Sequence, residues 1–277
     1  MKASVNSFPL FMLLLFACTA DDDSNQPLER TPTEFIDGFE TTNGLIADLF
    51  PSDGSRWTNI QQVNPGTGDN LIELDNTLFS EGTSSLKIIS QPSDNTLSKI
   101  DIEKAGFFAE TGSTVIIEAD FYIDGDGPLT DLFLIDLECC SCWDSDVPNN
   151  QCPGIRLKMS GDNNFLFIER GKILGSTLQQ TDLPFPLNEW VSVRWQMQLH
   201  PNNNGENILA INGQEVINTA GKNQPNADEF RSEFAANNID FELQEPLGYE
   251  RLQIGATANP TTSQIVLYID NFKLLIE

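Results

Sequence analysis

Val191-Ser192-Val193-Arg194-Trp195-Gln196-Met197-Gln198 alternates apolar and polar residues without a break. Successive side chains of a strand point to opposite faces, so Val191, Val193, Trp195 and Met197 share one face and Ser192, Arg194, Gln196 and Gln198 the other. A helix would scatter the same apolar residues around its circumference, which makes this a half-buried strand with Trp195 in the core. Similar short runs recur at Ser85–Ile89, Val115–Ile123, Leu132–Leu137, Ile155–Met159, Phe165–Ile168, Ile208–Ile211, Arg251–Ile254 and Ile265–Leu275. Turn signals such as Pro201-Asn202-Asn203-Asn204-Gly205 and Asn212-Gly213 separate them. From Glu34 to Glu277 no long linker divides the chain and no strong repeat is evident. One all-β domain, 34–277, built as a sandwich of two antiparallel sheets, is predicted.

Ahead of it, Lys2 precedes a short apolar run from Phe8 to Ala17, the layout of an export signal rather than a membrane span. Leu15-Phe16-Ala17-Cys18 resembles a bacterial lipobox, which implies a signal peptide over 1–17 and lipidation, for instance by palmitate, at Cys18. The acidic stretch that follows resembles the tether of Bacteroidetes surface lipoproteins. It implies a flexible segment over 18–33 and a lipid-anchored protein on the outer membrane. The net charge of −26 argues against a nucleic-acid partner, although a local cluster of Lys and Arg can reverse the field inside a groove. The sequence has no phosphate-binding GxxxxGK[ST], no GxGxxG and no HExxH, so no organic cofactor is predicted. The single histidine, His200, sits where a strand enters a turn and is read as structural.

Outward-facing charges on several strands mark a candidate site. Lys99, Asp101 and Glu103 alternate with Ile100 and Ile102; Asp136 and Glu138 share a face opposite Ile135 and Leu137. Arg156 and Lys158 point together, and Arg251 and Gln253 form a similar row preceded by Tyr249. Arg156 can clamp a carboxylate, and Lys158 can neutralise charge or, with a lowered pKa, act as a base. The bland alternative is a solvated basic edge that offsets the abundant acids.

The stretches "EGTSSLKI", "LSKIDIE", "TDLFLIDLE", "GIRLKMSGDNNFLFIERG", "NEWVSVRWQMQLHPNNNGENILAINGQEV" and "YERLQIGATANPTTSQIVLYIDNFKL" resemble the concanavalin-A-like jelly roll of heparin-, alginate- and ulvan-lyase-like polysaccharide lyases. The resemblance implies β-elimination on a uronic-acid-containing glycan such as an algal polymer, with sulfate permitted by the basic row. A non-catalytic surface glycan-binding lipoprotein is the alternative, since the fold also serves lectin-like domains; a hydrolase or a structural module comes after these. Lys158 and Tyr249 are the expected catalytic pair. Lys99, Asp136, Glu138, Trp143, Arg156, Arg194, Arg251 and Gln253 are the expected substrate-binding residues. The histidine and late tyrosine of some relatives have no counterpart here, which leaves loss of activity open. "DGFE" and "YIDNF" are similar to paired segments that hold a structural calcium in such folds, with Glu40 and Asp270 as donors.

Cys139, Cys140, Cys142 and Cys152 remain, an even number in an exported domain, so two disulfides are predicted. Pairing of the adjacent Cys139 and Cys140 is sterically least attractive. Cys142 with Cys152 would close a small loop, and a crossed pairing stays open. The four thiolates as zinc ligands, or Cys139 and Cys142 as a reactive CxxC pair, are the alternatives. Trp143 is either a sugar platform at the rim or the cover of the staple.

Overall fold

The computed structural model describes residues 32–143, 152–171, 176–238, 240 and 242–277. The predicted signal peptide, the site of lipidation at Cys18 and all but the end of the tether lie outside the described residues. Among the described residues the strands are β1 (Thr33–Asp37), β2 (Asn59–Val63), β3 (Leu71–Asp75), β4 (Ser85–Ser90), β5 (Lys99–Glu110), β6 (Thr114–Asp124), β7 (Leu132–Glu138) and β8 (Gly154–Ser160). They continue with β9 (Phe165–Gly171), β10 (Ser176–Pro184), β11 (Val191–Gln198), β12 (Glu206–Ile211), β13 (Gln214–Ala220), β14 (Gly248–Ala258) and β15 (Ile265–Ile276).

Two antiparallel sheets result. The first runs β13-β12-β11-β6-β15-β4-β3, and β1 pairs with the end of β15 beyond β4. The second runs β10-β9-β8-β7-β14-β5-β2. The apolar faces meet in one core whose largest fully buried side chains include Trp57, Trp195, Tyr249, Phe121 and Phe272. Each large apolar side chain removed from water contributes about 1.5–3 kcal/mol, so this interior dominates the stability. Trp57 lies 4.9 Å from Phe272 and 5.2 Å edge-on from Phe35, which ties the first strand to the last. Arg56 pairs with the Asp37 carboxylate at 2.5 Å beside this cluster.

One helix, α1 (Ala227–Ala236), was not legible in the periodicity, because its buried stripe is only Phe230 with Phe234 packed beside it. Its start follows local rules: Asn226 caps the first turn by accepting from the Glu229 N–H at 3.0 Å, and Asp228 and Glu229 face the positive helix end.

Two glycines shape the second sheet. Gly106, at φ +89°, lies where the β14–β5 register shifts between Tyr249 and Arg251, a bulge on the β5 side. Gly255, at φ +143°, lies so close to β5 that an added Cβ would come within 2.9 Å of the Asp101 Cα and the Ile100 carbonyl. Only glycine permits that approach.

Candidate functional site

The outer face of the second sheet carries a groove of about 780 Å³. Its floor follows from strand register. Glu103 on β5 faces Gln253 on β14, Gln253 faces Asp136 on β7, Asp136 faces Arg156 on β8, and Arg156 faces Glu169 on β9. This row crosses five strands. Beside it lie Arg251 opposite Glu138, and Lys158 between Phe133 and Phe167. The structure therefore brings Lys99, Asp136, Glu138, Arg156, Lys158, Arg251 and Gln253 together in one groove.

The four cations are set among carboxylates. Arg156 Nη2 donates to Glu169 at 2.6 Å, and Lys158 Nζ lies 2.7 Å from the other Glu169 oxygen and 3.2 Å from Asp131. Both cations also lie over the Phe133 ring, the Arg156 guanidinium at 4.3 Å. Lys99 Nζ donates to Gln253 Oε1 at 2.8 Å, and Gln253 Nε2 donates to Glu138 Oε2 at 2.9 Å, which fixes the amide. Arg251 reaches Glu103 at 3.3 Å and Glu138 at 3.7 Å. With its side chain 34% exposed, Arg251 is the most open of the four; Arg156, Lys158 and Lys99 are at 14%, 15% and 16%.

Burial pulls the Lys158 ammonium toward neutrality, but hydrogen bonds and charge attraction from Glu169 and Asp131 outweigh it, and the net shift is upward. The expectation of Lys158 as a base with a lowered pKa is thereby corrected: this lysine holds its proton at neutral pH.

Three further expectations are corrected. Tyr249 does not reach the groove. It is fully buried, its hydroxyl donates to the Asn223 carbonyl at 2.8 Å, and burial pushes its pKa far up against only the Arg170 charge. The cause is the bulge at Gly106, where β14 breaks its alternation: Tyr249 turns inward while Glu250 and Arg251 both face outward. Arg194 is outward-facing as predicted, but on β11 of the other sheet, where it pairs with Glu118 at 2.9 Å. Trp143 is no sugar platform; it is buried against Phe230 and Phe234, with ring centroids at 6.4 and 5.7 Å.

Both disulfides are present, as Cys139–Cys142 and Cys140–Cys152, the crossed arrangement. Cys152 lines the groove, and the Ser141 N–H and hydroxyl both donate to Glu250. The staple thus places the end of β7 against the start of β8. The ligating atoms of Glu138, Cys140 and Cys152 lie within 4.8 Å of one another, a spacing that a metal could bridge. With both sulfurs joined in a disulfide, however, neither is a thiolate, so the four-thiolate zinc alternative is excluded in this state.

Glu40 and Asp270 brace the 80–84 loop directly. Glu40 accepts from the Thr83 N–H at 2.7 Å, the Thr83 hydroxyl at 2.5 Å and the Ser84 N–H at 3.1 Å; the Thr83 hydroxyl contributes most to holding its pKa down. Asp270 accepts from the Ser80 and Glu81 N–H groups at 2.9 and 3.1 Å, although burial still raises its pKa. Each carboxylate accepts three such bonds, the third on Asp270 coming from the Asn271 N–H at 2.8 Å, so a calcium ion at this predicted site would have to share them.

Several groove residues escaped the sequence reading: Gln61, Asp131, Phe133 and Thr257 line it, and Glu169 anchors its cations. Glu169 was within reach of the alternation rule, since Leu166 and Ile168 face the core and Phe167 and Glu169 face outward.

No protein-family model and no curated protein sequence matches the chain. Solved structures do. An endo-β-1,4-glucuronan lyase from the fungus Trichoderma reesei superposes with a TM-score of 0.59 at 11% identity, over 79% of this chain and 90% of that one. The alginate lyase Aly36B gives 0.54 at 11% identity, over 88% and 97%. The cellulose-induced protein Cip1 gives 0.53 at 13% identity, over 80% and 92%. The chain shares their jelly-roll fold. At such identities the fold is what is shared, and the chemistry has to be argued from the groove.

Proposed function

We propose that the groove binds a uronic-acid-containing polysaccharide and that the protein cleaves it by β-elimination. The observation that carries this reading is the convergence of Lys99, Arg156, Lys158, Arg251 and the fixed Gln253 amide on one open groove. The shared fold of the glucuronan and alginate lyases supports it. In β-elimination a base removes the proton from C5, beside the uronate carboxylate. The electron pair forms the C4–C5 double bond, and the C4–oxygen bond breaks with protonation of the leaving oxygen. The carboxylate must be neutralised for C5 to release its proton. Arg251, the most exposed cation, takes that carboxylate, with Lys99 and Arg156 beside it and the buried Gln253 amide tying Lys99 to Glu138. Lys158, protonated by its setting, supplies the proton to the leaving oxygen. Of the acids that line the groove, Asp131 has a side chain 43% exposed against 2% for Asp136 and Glu138, so Asp131 is the carboxylate that a sugar can reach as proton acceptor. Calcium has no part in this reading.

A second reading, a glycan-binding module without chemistry, is favoured by one observation: no tyrosine or histidine lines the groove among the described residues. Incubation with polyglucuronate or alginate separates the two. Unsaturated ends absorbing in the ultraviolet, lost in Lys158→Ala, support the lyase; binding without them supports the module; reducing ends without unsaturation would point to hydrolysis. Anchoring at the outer membrane through Cys18 is a further part of the proposal, and Cys18→Ala should move the protein from the membrane fraction to the soluble one.

A further inference from the structure

The Cys140–Cys152 bridge stands apart from its neighbour. Cys139 and Cys142 have no accessible surface, whereas Cys140 and Cys152 are partly exposed and Cys152 lines the groove. Thiol–disulfide exchange needs access to a sulfur, so a reductant reaches Cys140–Cys152 first. Against this bridge lies Glu138, its side chain only 2% exposed, with the Cys140 Sγ 3.6 Å from its Oε2.

The ligating atoms of Glu138, Cys140 and Cys152 lie within 4.8 Å of one another. In a tetrahedral zinc site, metal–sulfur bonds of about 2.3 Å and metal–oxygen bonds of about 2.0–2.2 Å put neighbouring ligand atoms roughly 3.5–3.8 Å apart. The distance from Cys140 Sγ to Glu138 Oε2 already matches one such edge. The two sulfurs are held closer only by the bond between them, and its cleavage lets that edge open. Reduction without a metal would leave two thiols beside a buried carboxylate, which opposes their ionisation. A divalent metal removes the conflict. Its two charges cancel those of two thiolates, and Glu138 keeps the negative charge that lies 3.7 Å from Arg251.

We propose that reduction of Cys140–Cys152 turns the staple into a binding site for a thiophilic divalent cation such as zinc, held by Cys140, Cys152 and Glu138. A dithiol supplies two electrons and two protons. The Cys140–Cys152 sulfur–sulfur bond breaks, the dithiol closes to its own disulfide, and two thiols form. The metal then displaces both thiol protons as its two sulfur bonds form. Three protein ligands leave the fourth tetrahedral position open to water. Glu138 also accepts from Gln253 Nε2 at 2.9 Å, so the metal ties the redox state of the staple to the groove floor.

The test uses the full chain carrying Cys18→Ala, which leaves the four loop cysteines as its only sulfur ligands of that kind. After limited reduction with a dithiol, removed in the absence of air, alkylation and peptide mapping should find thiols at Cys140 and Cys152 with Cys139–Cys142 intact. Cobalt(II) is the probe, because cobalt–thiolate bonds give charge-transfer absorption in the near ultraviolet, and zinc should then displace it. The reduced protein should bind cobalt with that absorption and release about two protons per metal, while the oxidised protein shows neither. Cys140→Ser with Cys152→Ser should abolish the signal. Cys139→Ser with Cys142→Ser should keep it, which separates this ligand set from four thiolates. Glu138→Gln should weaken cobalt binding at least about ten-fold, the loss that even a group behind the ligands brings. Should the oxidised Glu138→Gln protein fail to melt as a folded domain, Glu138→Ala in its place carries the same expectation in the Cys139→Ser with Cys142→Ser background, read against that background's own cobalt affinity. Thiols appearing first at Cys139 and Cys142, no cobalt–thiolate signal after reduction, or a signal that needs Cys139 and Cys142 would overturn the inference. So would unchanged cobalt affinity without the Glu138 carboxylate.

Discussion

Glu169 holds both cations of β8, so Glu169→Gln removes one charge from beneath Arg156 and Lys158 with almost no change in shape. At 2.6 and 2.7 Å, and at an effective dielectric constant of 20, each pair has a gross attraction of about 6 kcal/mol, most of which desolvation cancels. The Glu169 side chain is only 12% exposed, so solvent screening offers little relief. Removing one partner of a buried pair costs about 3–5 kcal/mol. Here Arg156 keeps Asp136 at 3.8 Å, Lys158 keeps Asp131 at 3.2 Å, and glutamine retains an acceptor. The expected loss is therefore about 2 kcal/mol, or roughly 4–8 °C in Tm for a domain of this size. Urea and thermal melts at neutral pH measure it. The pH dependence adds a second readout. The folded Lys158 pKa is raised above the ordinary 10.5, so its stabilising contribution is complete below that value and is lost as pH rises through the folded pKa. The difference between wild type and variant should narrow above about pH 10.5. Freed from Glu169, Arg156 and Lys158 should also bind an anionic polysaccharide more tightly in low salt. A variant as stable as wild type within 0.5 kcal/mol, with unchanged polymer affinity, would show that Glu169 does not organise the groove.

Tyr249→Phe should lose about 1–2 kcal/mol with the hydrogen bond to Asn223 and leave polymer binding and any cleavage unchanged, because its hydroxyl faces the core. Gly255→Ala, which forces a Cβ against Asp101 and Ile100 at positive φ, should cost at least about 2–3 kcal/mol in a urea melt. Loss of the Cys140–Cys152 bridge in Cys140→Ser with Cys152→Ser should cost about 2–3 kcal/mol and weaken polymer binding, since Cys152 lines the groove; mass spectrometry of the wild type should find no free thiol among its four loop cysteines. Chelation of calcium should leave the Tm unchanged, because N–H and O–H donors already engage Glu40 and Asp270.

The sequence by itself determined which residues face the core and which face outward wherever a strand runs without a break. Strand alternation is a local property, set by the pleat, and it placed Trp195 inside and Arg156, Lys158 and Gln253 outside. Local chemistry also announced an acidic domain with two disulfides. Sheet membership is a different matter. Arg194 and Arg156 carry the same outward signal, yet one lies on β11 and the other on β8, because pairing is decided between residues far apart in the chain. Tyr249 shows the second limit: a bulge opposite it on β5 resets the phase, so two residues before Arg251 is not the same face. Asp131 joined Lys158, and Gln61 and Thr257 came to line the same groove, only because tertiary packing brings separate strands together there. A sequence specifies faces through short-range geometry; the site is assembled by long-range register, which no local pattern contains.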